Sequence, residues 1–145
     1  MQTETLRGSY VFWALMSAAF AGLTALWGKK GIEGIPSNLA VAVRLVVVMV
    51  FALSIAIATK QTDVSVLNKK AIFFLSLSGL ATGASWLCYF RALQLGPISR
   101  VAPIDKLSFV LAMALGILFL KEKPSANLLG GAALIVAGIL LTLRK

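Results

Sequence analysis

Three charged residues stand inside otherwise uncharged stretches: Arg44 in the run 36–59, and the adjacent Asp105 and Lys106 in the run 101–120. A charge at the centre of a membrane-crossing helix costs roughly 2.5 to 3.5 kcal/mol on insertion scales, so such groups face a protein interior or a water-filled path. Two chemistries fit them. In one, Arg44 and Asp105 form a structural ion pair while Lys106 reaches the head groups along its aliphatic stem. In the other, the three line a wet cavity where two cations and one acid attract a carboxylate or a phosphate. Asp105 is the only acid within any of the apolar runs, which makes it the candidate carrier of a coupling proton.

Other residues could complete such a path. Ser78, Thr82, Ser85 and Tyr89 recur at i, i+4, i+7 and i+11, a spacing that puts them on one helix face with Trp86 beside them. Hydroxyls on such a face bond across helices or line a cavity. Gly79 and Gly83 form a GxxxG on an adjoining face, where small residues let helices approach closely. The last run carries Gly130, Gly131, Ala133, Ala137 and Gly138 with no polar side chain between Asn127 and Thr142, a surface suited to packing, including against a second copy. In the first run Tyr10, Trp13, Ser17, Ala21, Thr24 and Gly28 make a small, mildly polar face that points inward, with Trp13 and Trp27 alternatively serving as membrane-interface residues.

The elements that position these residues follow from hydropathy. Of 145 residues, 59% are apolar or aromatic, above the 45 to 50% of ordinary soluble domains, and the mean hydropathy is +0.93. Residues 10–28, 71–90 and 124–143 carry no charge at all, and each run is near the roughly 20 residues that cross a bilayer as a helix. The reading is an all-α membrane protein, a single domain over 1–145, with five spans at about 10–28, 38–59, 71–91, 99–120 and 125–143. Arg7 ahead of the first run and Ala19-Phe20-Ala21 within it have the outline of a cleaved leader. The bulky Phe12, Trp13 and Phe20 and the four later spans favour a retained helix instead. The connections are short and punctuated by Gly31, Gly34, Pro36, Gly96-Pro97 and Pro124, so sequential helices run antiparallel. Pro36 precedes Arg44 by eight residues, and Pro97 precedes Asp105 by eight. If each Pro opens its helix, the two charges lie equally far along, unless Pro103 marks a later start or a kink.

Composition removes several functions. The chain has no His and one Cys, Cys88, which excludes a zinc site, haem ligation, a His-based catalytic centre and a disulfide framework. It has no phosphate-binding glycine loop and no nucleophile–base pairing, so neither a cofactor, a metal nor an enzymatic activity is expected. The net charge of +9 does not indicate nucleic acid, because the basic residues sit in twos and threes at span ends, where they meet lipid head groups. Their distribution is even. Arg7, Lys60, Lys69, Lys70, Lys121 and Lys123 fall on one side, and Lys29, Lys30, Arg91, Arg100, Arg144 and Lys145 on the other. Without a positive-inside bias the chain can insert either way up, and opposite copies can pair as an antiparallel dimer. The other reading is that a partner or the insertion machinery fixes one orientation.

End to end, the chain resembles the short five-helix members of the EamA-type branch of the drug/metabolite transporter superfamily. The likeness rests on Ala25 to Gly31 (ALWGKKG), Arg44, Ser78 to Pro97 (SGLATGASWLCYFRALQLGP), Val101 to Ser108 (VAPIDKLS), and Phe119 to Pro124 (FLKEKP) before a glycine-rich last span. It implies one half of an inverted-repeat fold and a secondary transporter of small metabolites, usually an exporter, in a prokaryotic inner membrane. Together with the even charge distribution, this leads to the expectation of an antiparallel homodimer driven by protons or by the substrate gradient. Arg44, Ser85, Trp86, Tyr89, Arg91, Asp105 and Lys106 are the pathway candidates. Glu122 matches the family's acidic residue after span four, whereas Lys121 stands where many relatives have Gly. The likeness does not transfer a substrate. The alternatives are a flippase component for a lipid-linked carrier and a structural subunit of a larger membrane complex. The proton-exchange mechanism of four-helix multidrug exporters is disfavoured, because it needs an acid in the first span.

Overall fold

The computed structural model describes the backbone of residues 2–143 and the side chains of residues 10–143. Arg144 and Lys145 of the charge count, and the side chains of Glu4 and Arg7, lie outside the described residues. The described chain is all-helical, and five of its helical segments are long and apolar enough to cross a membrane: Tyr10–Gly31, Ser37–Ala58, Lys69–Leu95, Ile98–Phe119 and Ala126–Leu143. The chain divides into two compact units, Met1–Leu95 and Gly96–Lys145.

The first unit holds α1 (Gln2–Gly31), α2 (Ser37–Ala58) and α3 (Lys69–Leu95). Lys29 and Lys30 close α1 in its last turn, where cations meet the negative end of the helix dipole. Gly34 takes a φ of +75° in the turn that follows, a conformation that glycine adopts without a steric penalty. Pro36, extended at φ −60° and ψ 134°, opens α2. At the far end of α2 the Lys60 N–H donates to the Ile57 carbonyl at 3.0 Å, and the Gln61 N–H to the Ala56 carbonyl at 2.8 Å. With Lys60 at φ 56°, this is a Schellman end in which a lysine holds the left-handed position. The connecting segment contains one 3₁₀ turn, Val64–Val66. Hydrogen bonds from the Ser65 hydroxyl and backbone N–H hold the Asp63 carboxyl below its usual range. Asn68 then accepts the Ala71 N–H at 2.8 Å to start α3.

α3 packs on α2 and α1, and its buried residues gather at one end of this unit. Ala25 and Ile32 come from the end of α1 and its turn, Ser37, Ala40 and Val41 from the start of α2, and Phe90 and Leu93 from the end of α3. Gly28 borders this junction, where a Cβ would make ordinary contact with the Phe90 ring at 3.5 Å. Elsewhere large apolar side chains face outward, Val47 at 63% and Phe51 at 67% exposure, as expected where lipid is the solvent.

The second unit holds α4 (Ile98–Asp105), α5 (Leu107–Phe119) and α6 (Ala126–Leu143). Pro97 opens α4 as Pro36 opens α2, so Arg44 and Asp105 are each the eighth residue of their helix, about 10 Å along at 1.5 Å per residue. Pro103 does not delay the start. It lies inside α4, where it supplies no N–H, and the span is interrupted right after Asp105. Across the break the Lys106 N–H reaches the Pro103 carbonyl at 3.1 Å and the Phe109 N–H the Lys106 carbonyl at 3.3 Å, the tighter i−3 pattern.

α6 turns Ala132 and Ile139 inward, while Ala133, Ala137 and Gly138 lie on its exposed surface. A Cβ at Gly79, Gly83, Gly131 or Gly138 would meet no atom within 4 Å. Within its own unit, each of these glycines has open space at its Cβ position.

α5 ends on Lys121 at φ 55°, with the Glu122 N–H turned back to the Gly116 carbonyl at 3.3 Å. This left-handed position explains why glycine suits the site. Lys121→Gly relieves a penalty of roughly 1 to 2 kcal/mol and adds a glycine entropy cost of roughly 0.5 to 1 kcal/mol. The expected outcome is a rise of about 0.5 to 1 kcal/mol in stability, measured as the thermal midpoint of the purified protein in detergent.

Candidate functional site

Arg44 is held by aromatic rings. Its guanidinium carbon lies 4.2 Å from the centroid of the Trp86 ring and 5.4 Å from that of Phe90. Trp86 and Phe90 are one helical turn apart on α3, so they share the face turned to α2. Each such contact is worth roughly 0.5 to 2 kcal/mol, the larger values applying away from water. No carboxylate of this unit pairs with Arg44 among the described residues. Tyr89 sets its ring edge-on against Phe90, with centroids 6.4 Å apart.

A cavity of about 340 Å³ opens beside this stack, lined by Thr24, Trp27, Gly28 and Gly31 of α1, Ile35 of the turn, Ala40, Val43 and Arg44 of α2, and Phe90 of α3. Apart from Arg44, Thr24 and the indole N–H of Trp27, the lining side chains are apolar. The volume falls toward the small end of the roughly 300 to 1,000 Å³ typical of ligand pockets.

Arg91 has a different place. α3 continues one turn beyond it to Leu95, and its Nη1 donates to Gln94 Oε1 at 3.2 Å, while Gln94 Nε2 donates to the Ile35 carbonyl at 2.7 Å. Lys29 Nζ donates to the Leu93 carbonyl. These side chains tie the end of α3 to the α1–α2 turn and brace the cavity without lining it. Ser85 lies on the exposed surface of α3, and Thr82 bonds the Ser78 carbonyl of its own helix at 2.9 Å.

In the second unit, Asp105 Oδ2 lies 3.6 Å from Lys106 Nζ, with the two side chains 35% and 57% exposed, respectively. The pair sits at the α4–α5 break. The backbone stays helical there, with Lys106 at φ −69° and ψ −8°, and tightens instead of unwinding. Further on, the Glu122 carboxylate stands beside Gly116, 2.9 Å from where a Cβ would be.

The structure brings Arg44 and Trp86 together and adds Phe90, Thr24 and Trp27 to the site, with Gln94 in the brace beside it. Phe90 carries a signal in sequence, an aromatic one turn after Trp86, but in an apolar run it is indistinguishable from a lipid-facing or core side chain.

Residues 8–144 match the EamA-like transporter family. A Sinorhizobium protein described as an uncharacterized transporter in the cobO 3′ region is 51% identical over 134 residues, covering 92% of this chain and 95% of its own length. An uncharacterized protein of Methanocaldococcus jannaschii is 28% identical over 127 residues, covering 88% and 90%. No solved structure gives a significant match.

Proposed function

The chain belongs to the EamA-like transporter family, and from that premise we propose that it is a secondary transporter exporting a small metabolite across a prokaryotic inner membrane. Arg44, backed by Trp86 and Phe90, binds the substrate, and Asp105 beside Lys106 carries the coupling proton at the break in the fourth span. The observation that carries this reading is an arginine kept inside an apolar span, stacked on aromatics, at the wall of a cavity. A charge so costly to place in a membrane is retained where it has work to do.

The active unit is an antiparallel homodimer. Five spans make one half of an inverted-repeat machine, and the balanced basic residues let one gene supply both halves. The small-residue surfaces at Gly79 and Gly83 on α3 and at Ala133 and Ala137 on α6 are each open within their own unit, which suits close packing by a second copy. Reporter fusions after Lys145 and within the 60–70 connection test this directly. Two insertion orientations give both reporters a mixed signal, near equal from each side of the membrane. A single clean orientation, or co-purification with a stoichiometric unrelated protein instead of a self-dimer, rejects the homodimer.

A further inference from the structure

We infer that the Arg44 cavity selects its ligand by charge pattern: an apolar body carrying one carboxylate and no ammonium group. Its role as cargo rests on the transport reading above; the binding chemistry stands on the cavity itself.

A guanidinium is planar, with its N–H donors directed outward in the plane. Trp86 and Phe90 occupy the aromatic-facing side of Arg44, and stacking of this kind leaves in-plane donors for a carboxylate, which they can hold bidentately. Arg44 is the single charged residue among the lining side chains. One carboxylate therefore neutralises the cavity, whereas a dianionic phosphate leaves a second negative charge with no cation among the lining side chains.

A zwitterion fails for the opposite reason. Its ammonium would enter beside a fixed cation with no lining acid to receive it, and like charges side by side repel. Glu33 lines the adjoining cavity at the α1–α2 turn, not this one. Lys29 does not line this cavity either; it lines the adjoining one, and its ammonium donates to the Leu93 carbonyl. The rest of the wall, including Trp27, Val43 and Phe90, offers apolar and aromatic surface to the body of the ligand.

The test uses the full chain in phosphatidylcholine nanodiscs at pH 7, with quenching of intrinsic tryptophan fluorescence as the readout, since Trp27 lines the cavity and Trp86 backs Arg44. Three probes share a phenyl body and differ in charge: 3-phenylpropanoate, phenylalanine and phenethylamine. The expected order is 3-phenylpropanoate at least tenfold tighter than phenylalanine, with phenethylamine weaker still. Arg44→Lys, which keeps the charge but loses the planar fork, is expected to weaken 3-phenylpropanoate at least tenfold. Phenylalanine binding as tightly as 3-phenylpropanoate to the unaltered protein overturns the inference, and so does unchanged acid binding by Arg44→Lys. The ligand series needs no variant, so a misfolded mutant does not obscure it. Selective acid binding without flux in proteoliposomes rejects the transport reading and leaves the inference intact. Flux of a zwitterion without acid binding does the reverse.

Discussion

Replacing Asp105 with Asn is expected to cut proton-driven flux at least tenfold in proteoliposomes and to flatten its dependence on pH. Asp105 is the one acid inside the five spans, and it sits where α4 gives way to α5. A carboxylate there has two states with different costs: charged, it needs Lys106 or water beside it, and protonated, it tolerates an apolar surrounding. That difference lets a proton bias which conformation the protein prefers. Asn fixes the neutral state, so a proton gradient no longer has a group to act on, whereas exchange of substrate against substrate continues. Lys106→Gln, by contrast, is expected to keep the pH dependence, because the Asp105 carboxyl remains. Equal flux and an unchanged pH profile in Asp105→Asn would remove this carboxylate from the coupling step. Loss of exchange along with loss of driven flux would instead place Asp105 in the binding of substrate.

How much of this was legible in the residues alone depended on how local the cause was. The five helices were written in hydropathy, because burying a backbone in lipid requires about 20 apolar residues per crossing and little else. Pro36 and Pro97 marked two helix starts, since proline suits the entry to a helix and opposes its interior. The consequence of Pro103 was not legible. A proline lacking its N–H can delay a helix, kink it or precede a break, and only the hydrogen bonds around Lys106 distinguish these outcomes.

Site residues divide the same way. Arg44 stood out because charge in an apolar run is costly. Its partners on α3 depended on which face of that helix meets α2, and the hydroxyl face of Ser78, Thr82, Ser85 and Tyr89 does not by itself say which neighbour the helix turns toward Trp86 and Phe90. Trp86 announced itself by size and Phe90 did not, although both cover the guanidinium. Arg91 sat on a motif position yet belongs to the brace at the end of α3, because that helix extends a turn further than the charge pattern suggested. The glycines of α3 and α6 had the right spacing for close contact, but spacing names no partner, and within their own units their surfaces are open.

Arg44→Met is expected to separate stability from function. Methionine approximates the length of the arginine stem and removes the charge, relieving roughly 2.5 to 3.5 kcal/mol of cost in an apolar span. It forfeits two aromatic contacts worth roughly 0.5 to 2 kcal/mol each, some of which the polarisable sulfur recovers against the rings. The balance is a protein about as stable as the original, or about 1 kcal/mol more so. Flux, in contrast, should fall a hundredfold or more, because the cavity loses its only charge. Trp86→Leu has the opposite signature in stability. It uncovers a guanidinium that stays in place, so the thermal midpoint should fall, and the fall should shrink when Arg44→Met is present, since the two residues share one interaction. Thermal unfolding of the two single variants and the double variant in detergent measures that coupling. A guanidinium that served only to fasten α2 to α3 would behave otherwise, with Arg44→Met losing more than about 2 kcal/mol and any surviving protein transporting normally.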